Sequence, residues 1–233
     1  MTAIRGQFSI WALLALVVAV ALPAQAGEVR VKAGPGHFSV PVTSVKEGRF
    51  QTVIKQQYDY SCGSAAIASL LTFHYEQPVG EKEVFLEMYE AGDKEEIRRA
   101  GFSLLDMKNY LKRHGVRADG FKLTLDKFAK ASVPAITLIE TNGYRHFVVL
   151  KGIEGDEILV GDPALGVKIY PRAEFETIWK GIIFVIRDRV KVAQSHFNEQ
   201  RDWRVRQKAP FGTALTRYSL GMFTLMQPGG NEF

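Results

Sequence analysis

Residues 56–75 read Q-Q-Y-D-Y-S-C-G-S-A-A-I-A-S-L-L-T-F-H-Y, a polar, turn-prone run that gives way to an alanine-rich apolar one. From Cys62 onwards Ala66, Ile67, Leu70, Leu71 and Phe73 recur at helical spacing, and Ala65 and Ala68 fill most of the other positions. A helix that is apolar nearly all round belongs in the centre of a domain. Gln77-Pro78 ends it. Cys62, the only cysteine in the chain, stands at the helix start. There the positive end of the macrodipole favours a thiolate, which makes Cys62 a candidate nucleophile. The competing reading is a small buried hydrophobe.

Downstream of this helix the period stays near 3.6 for a further stretch. Val84, Phe85, Met88 and Tyr89 predict an amphipathic helix over 81–90. Ser103, with Asp106 three residues on, predicts a capped helix that stops at Gly115. Thr124 opens a short helix to residue 130. The pattern then changes to β-rich runs at 133–139, 146–153, 157–160, 167–170 and 182–186, separated by the turn signals Asn142-Gly143 and Glu154-Gly155-Asp156. Helices first and strands second predict an α+β fold, N-terminal helices packed on a C-terminal antiparallel sheet.

The two ends read differently. Arg5, the apolar run 10–22 and Ala24-Gln25-Ala26 predict a signal peptide over residues 1–26, cleaved after Ala26; the alternative is a retained anchor. Cleavage leaves roughly 207 residues, enough for one domain with a sizeable core. Residues 27–49 read as an extended lead-in, with alternating Val29 and Val31, then Phe38 and Val40 around Gly34-Pro35-Gly36. A domain is expected over 50–190. Residues 191–233 carry mixed charge and scattered apolar residues and read as an extended or partly disordered tail, with Gly229-Gly230 a flexible pair in it.

Composition narrows the function. The formal charge of +5 is spread along the chain, which is no nucleic-acid footprint. No second apolar run is long enough to span a bilayer, so the mature chain is expected to carry no transmembrane segment. One cysteine and scattered histidines give no metal-ligand spacing, and no cofactor is expected. A single cysteine in an exported protein cannot form an internal disulfide, which favours a thiol in use.

A cysteine nucleophile needs a base oriented by a third polar group. His74 shares the cysteine's helix about 18 Å along the axis, out of reach. His114 precedes Gly115 at a helix end, where a cation is favourable for structural reasons. His37 and His196 fall in the flanking segments. His146 remains, at the rim of the apolar run H-F-V-V-L. If 154–156 joins two antiparallel strands, residues whose numbers sum to about 309–311 face each other. At a sum of about 310, Asp162 faces Val148 and lies diagonal to His146 on the same side, within bridging reach. An ordinary turn aspartate before Pro163 is the alternative. Gln56 and Gln57 are both available as side-chain oxyanion donors beside the Cys62 N–H, and position alone does not choose between them.

Taken together, Gln56-x5-Cys62-Gly63-x-Ala65-Ala66, His146-Phe147-Val148-Val149-Leu150 and Gly161-Asp162-Pro163-Ala164-x-Gly166 resemble the C39 family of cysteine peptidases over residues 50–187. The resemblance implies a papain-like fold and assigns Cys62 as nucleophile, His146 as base, Asp162 as orienting acid and Gln56 as oxyanion donor. Ser61 stands where many members have an acidic residue, and Ser64 where many have Pro or Val. A solitary domain with a signal peptide resembles stand-alone periplasmic members, including the kind that accompanies functional-amyloid secretion. The resemblance thus implies a periplasmic endopeptidase acting on an exported or amyloid-type polypeptide, with small residues such as Gly-Gly before the cut and an outer-membrane secretion partner as further expectations. The alternatives are a non-turnover adaptor on the same fold and an acyl transferase using the same triad.

Overall fold

In the computed structural model, which describes residues 28–33, 36–41 and 44–206, the apolar run after Cys62 is a helix, α2 (Cys62–His74). All of its residues from Cys62 to Leu71 are buried, as its all-round apolar pattern requires. Gly63 is closely surrounded. A Cβ there would lie 3.0 Å from the Phe102 Cβ and 3.1 Å from the Met107 Cε. The helix stops when Glu76 takes the left-handed conformation (φ 53°) and Gln77 N–H bonds back to the Leu71 carbonyl at 3.0 Å.

Ahead of α2, β1 (Glu28–Ala33) and β2 (Gly36–Pro41) form an antiparallel hairpin, followed by a one-turn helix α1 (Val45–Gly48). These belong to one compact unit, and everything from Arg49 onwards to a second. The signal peptide expected over residues 1–26 and the Gly229-Gly230 pair lie outside the described residues.

In the second unit α2 is followed by α3 (Glu81–Ala91), α4 (Lys94–Ala100) and α5 (Leu104–Arg113). The Ser103–Asp106 capping box of α5 forms as the sequence suggests, and α5 stops at Gly115 with φ +72°. Helix α4 is an addition to the sequence reading. It buries only Ile97 and is held at its start by Asp93, whose carboxylate accepts from the N–H groups of Glu95 and Glu96.

The strands are β3 (Ala118–Lys122), β4 (Ala135–Thr141), β5 (Tyr144–Glu154), β6 (Glu157–Asp162), β7 (Gly166–Pro171) and β8 (Trp179–Ile186). They make one six-stranded antiparallel sheet in the order β3-β8-β4-β5-β6-β7. Helices α2, α3 and α5 pack on one face around Ile67, Leu70, Phe147, Val149 and Phe184. The α+β reading holds, with one extension. Two short helices, α6 (Leu125–Ala131) and α7 (Arg172–Ile178), close the other face over Val148, Leu150, Val160 and Trp179.

Residues 191–206 correct the expected extended tail. They hold α8 (Val190–Ser195), α9 (Gln200–Trp203) and a 3-10 turn over Arg204–Arg206. Trp203 is buried with Val53, Leu159 and Val167. Asp202 pairs at 2.7 Å with Lys151 Nζ, which is itself buried and donates to the Thr52 carbonyl and hydroxyl. A lysine can sit in this interior only because its charge is matched and its protons are all taken. Opposite it, Gly161 leaves room for the lysine stem: a Cβ there would be 3.0 Å from Lys151 Cδ.

Candidate active site

The four residues singled out from the sequence occupy the ends of three elements and one loop. Cys62 is the first residue of α2, His146 the third of β5, Asp162 the last of β6, and Gln56 precedes α2. The β5–β6 register pairs Val149 with Gly161 and Leu150 with Val160, both summing to 310, before a bulge at Lys151 shifts it. Asp162 is therefore diagonal to His146 on one face, and the side chains meet, His146 Nε2 to Asp162 Oδ1 at 2.8 Å.

Both partners are buried. Asp162 Oδ1 also accepts the N–H groups of Ala164 (2.7 Å) and Leu165 (3.1 Å), so the turn that begins at Pro163 fixes the carboxylate. Burial alone would raise the Asp162 pKa, but the bond from His146 and the two backbone N–H groups hold it below the usual carboxylate range. Burial likewise disfavours the imidazolium of His146. The bond to Asp162 and the neighbouring Cys62 thiol outweigh it and push the pKa up to about 9. With Nε2 committed to Asp162, Nδ1 is left buried without a hydrogen-bond partner. The ring and the Cys62 thiol thus form no hydrogen bond with each other here, a looseness common before substrate arrives. Cys62 itself is 6% exposed.

Ser61 occupies the position before the nucleophile for a structural reason. Its hydroxyl accepts from the Tyr58 N–H (3.1 Å) and donates to the Tyr58 carbonyl (3.0 Å), closing the turn that feeds α2. Ser64 donates to the Ser61 carbonyl and to the buried carboxylate of Glu81. The two glutamines left open by position are now distinct. Gln57 is exposed, whereas Gln56 is half-buried and donates its backbone N–H to the Pro163 carbonyl at 3.0 Å. The Gln56 side-chain amide donates to the Tyr58 carbonyl at 2.9 Å.

Sequence reasoning missed Tyr144. Its ring stacks on His146 at 5.9 Å between centroids, and its hydroxyl donates to the Asp59 carbonyl at 3.0 Å, bridging β5 to the loop ahead of Cys62. The signal was present, since residues two apart on a strand share a face. Of the other histidines, His74 is buried at the end of α2 and bonds the His196 carbonyl at 3.2 Å, and His114 bonds Glu87 at 2.7 Å. His196, expected in an unstructured flank, is the C-cap of α8 and lies between Glu199 and Glu76. None of these bonds reaches the Cys62 site. Among the described residues no group of His, Cys, Asp or Glu is arranged to hold a metal, and no helix is long and apolar enough to cross a membrane.

A buried carboxylate–imidazole pair set beside a thiol at the start of a central helix is the arrangement used by cysteine peptidases. The chain belongs to the Peptidase C39 family, whose model matches residues 51–191. It is 41% identical over 176 residues to the probable functional amyloid protease FapD of Pseudomonas aeruginosa, covering 75% of this chain and 78% of that one. It is 39% identical over 177 residues to the protein of the same name from Pseudomonas fluorescens, with the same coverage. In fold it resembles the peptidase domain of Streptococcus ComA, a bi-functional ABC transporter involved in a quorum sensing pathway. That match has a TM-score of 0.50 at 19% identity and covers 58% of this chain and 96% of that domain.

Proposed function

We propose that this protein is a cysteine endopeptidase in which Cys62 is the nucleophile, His146 the base, Asp162 the orienting acid and Gln56 an oxyanion donor. The observation that carries the reading is the buried imidazole, held at Nε2 by Asp162 and left free at Nδ1 beside the chain's one thiol. Nδ1 accepts the thiol proton, and the resulting thiolate–imidazolium pair is stabilised by Asp162, which stays ionised and keeps the other proton on Nε2. The sulfur adds to the scissile carbonyl carbon, and the carbonyl electron pair moves onto oxygen. That oxygen meets the Cys62 N–H and an N–H of the Gln56 amide, which donates to the Tyr58 carbonyl at 2.9 Å and must give up its long 3.5 Å contact with the Asp59 carbonyl to do so. Collapse breaks the C–N bond, and the leaving amine takes the proton from Nδ1. Water, deprotonated by Nδ1, then cleaves the thioester and restores the thiol.

The substrate is an exported polypeptide of amyloid type, cut in the periplasm after small residues such as Gly-Gly. Support for the substrate comes from the names of the Pseudomonas relatives, support for export from Arg5, the apolar run 10–22 and Ala24-Gln25-Ala26, and support for the cleavage preference from the C39 resemblance. The test compares exported proteins from wild-type and Cys62→Ala cells by mass spectrometry, with alkylation of the purified protein alongside. A shortened polypeptide present only in the wild type is the expected result. Identical profiles, together with a Cys62 that resists alkylation near neutral pH, would sink the reading.

A further inference from the structure

Strand alternation near the turn between β4 and β5 builds two cavities back to back. Arg145 and Phe147 of β5, with Leu138 of β4, face a cavity of about 570 Å3 that Cys62 also lines. Tyr144 and His146, with Ile139 and Thr141, face a second cavity of about 350 Å3 that does not touch Cys62. The reaction assigns the two sides. The acyl group stays on the sulfur, and the amine departs past the imidazole that protonates it. The cavity holding Cys62 therefore lies on the acyl side, and the one holding His146 and Asp162 lies on the amine side.

The second cavity has a definite chemistry. Ile139, Leu165, Tyr170 and Ile178 supply apolar wall. Leu165 is 54% exposed, a large apolar side chain left facing solvent at the rim. Lys168 is half-buried with its ammonium 3.8 Å above the centre of the Tyr170 ring, and among the described residues no carboxylate pairs with it. Glu174, also at this cavity, is exposed, so solvent screens its charge more than that of Lys168.

We propose that this second cavity is the subsite for the polypeptide on the amine side of the scissile bond, taking an apolar or aromatic side chain and, beside it, a carboxylate on Lys168. The proposal rests on the peptidase reading of Cys62 and His146. It makes the sequence downstream of the cut a determinant of substrate choice, alongside the residues that precede it. Tyr170 lies under the ammonium and keeps the lysine extended along the cavity rather than free in solvent.

The experiment is a digest of a peptide library by wild-type protein, Lys168→Glu and Cys62→Ala, read by mass spectrometry. In wild type, Asp and Glu are enriched within the first few residues after the cut. In Lys168→Glu, Lys and Arg replace them while the upstream profile is unchanged. For two peptides differing only in that downstream charge, the ratio of kcat/KM shifts by on the order of tenfold between the two enzymes. Thermal unfolding confirms that the half-exposed position tolerates the change. A downstream profile that is flat, or the same in both enzymes, with Cys62-dependent cutting intact, overturns this inference and leaves the peptidase reading standing. Absence of any Cys62-dependent cutting by a folded protein overturns both.

Discussion

The backbone N–H of Gln56 donates to the carbonyl of Pro163 at 3.0 Å, joining the loop ahead of Cys62 to the turn behind Asp162. The residue proposed to receive the oxyanion and the residue that orients the imidazole are thus held by one backbone contact between segments more than a hundred residues apart in the chain. The contact ties the proposed oxyanion donor to the turn whose N–H groups hold the Asp162 carboxylate.

That contact is made by backbone, so the Gln56 side chain can be removed without breaking it. Gln56→Ala is expected to lower kcat by about 10²–10³, the usual cost of one lost oxyanion donor, with little change in KM. Gln57→Ala, at an exposed position, is expected to stay near wild type. Steady-state kinetics on one peptide substrate decides the assignment, and equal losses at the two positions would refute it.

Asp162→Asn keeps the size of the side chain and removes its charge. The His146 pKa should fall from its value of about 9, visible in an NMR titration of the imidazole. The sign of the stability effect is set by the direction of each shift. A raised histidine pKa contributes stability that is complete below the ordinary value of 6.5 and is lost as pH rises towards about 9. The lowered carboxyl of Asp162 contributes stability above its ordinary value of 3.8, lost as pH falls through the depressed one. Wild-type Tm should therefore decline between pH 6.5 and 9, and the variant should lose that alkaline slope.

His74 works in the opposite direction. Burial, together with the nearby charge of Lys151, holds its pKa well below 6.5, and its Nε2 has no hydrogen-bond partner. The unfolded chain takes up this proton as pH falls through 6.5 while the folded protein does not, so stability declines on acidification. His74→Gln is expected to flatten the Tm profile just below pH 6.5. An unchanged slope there would mean that another group drives acid unfolding.

Asp202→Ala leaves the Lys151 ammonium buried without its counter-charge. It is expected to cost about 3–5 kcal/mol in denaturant unfolding. Lys151→Met combined with Asp202→Leu should recover most of that loss, since an apolar pair needs no compensation. A small effect of Asp202→Ala alone would show that water reaches the lysine.

The central helix, the Ser103 cap and the β5–β6 register could be read from residues 62–74, 103–106 and 146–162 because each is local: periodicity, side-chain spacing and turn length carry the information. The same register placed Asp162 beside His146. Helix α4 escaped because Ile97 is its only buried residue, too little for a period, while the Asp93 cap starts it and only exposed ion pairs within it, Glu95–Arg98 and Glu96–Arg99, add to it. Strand β3, with Asp119 and Gly120 inside it, carries no strand pattern of its own and is extended by its pairing with β8. Helix α9 is anchored by Lys151, which looks like an ordinary surface lysine until Asp202 is brought to it. Strand spacing could have placed Tyr144 beside His146, but its bond to the Asp59 carbonyl, a relation across 85 residues, was not legible.

Alternation along β5 also bears on how such an enzyme can change. Arg145 and Phe147 address one cavity, Tyr144 and His146 the other, from a single strand. With the cavities assigned as proposed above, a substitution at one parity alters what is accepted on its own side with little effect across the strand. On the proposed assignment, a lineage can change the sequence it accepts on one side of the cut and keep the other, one side chain at a time.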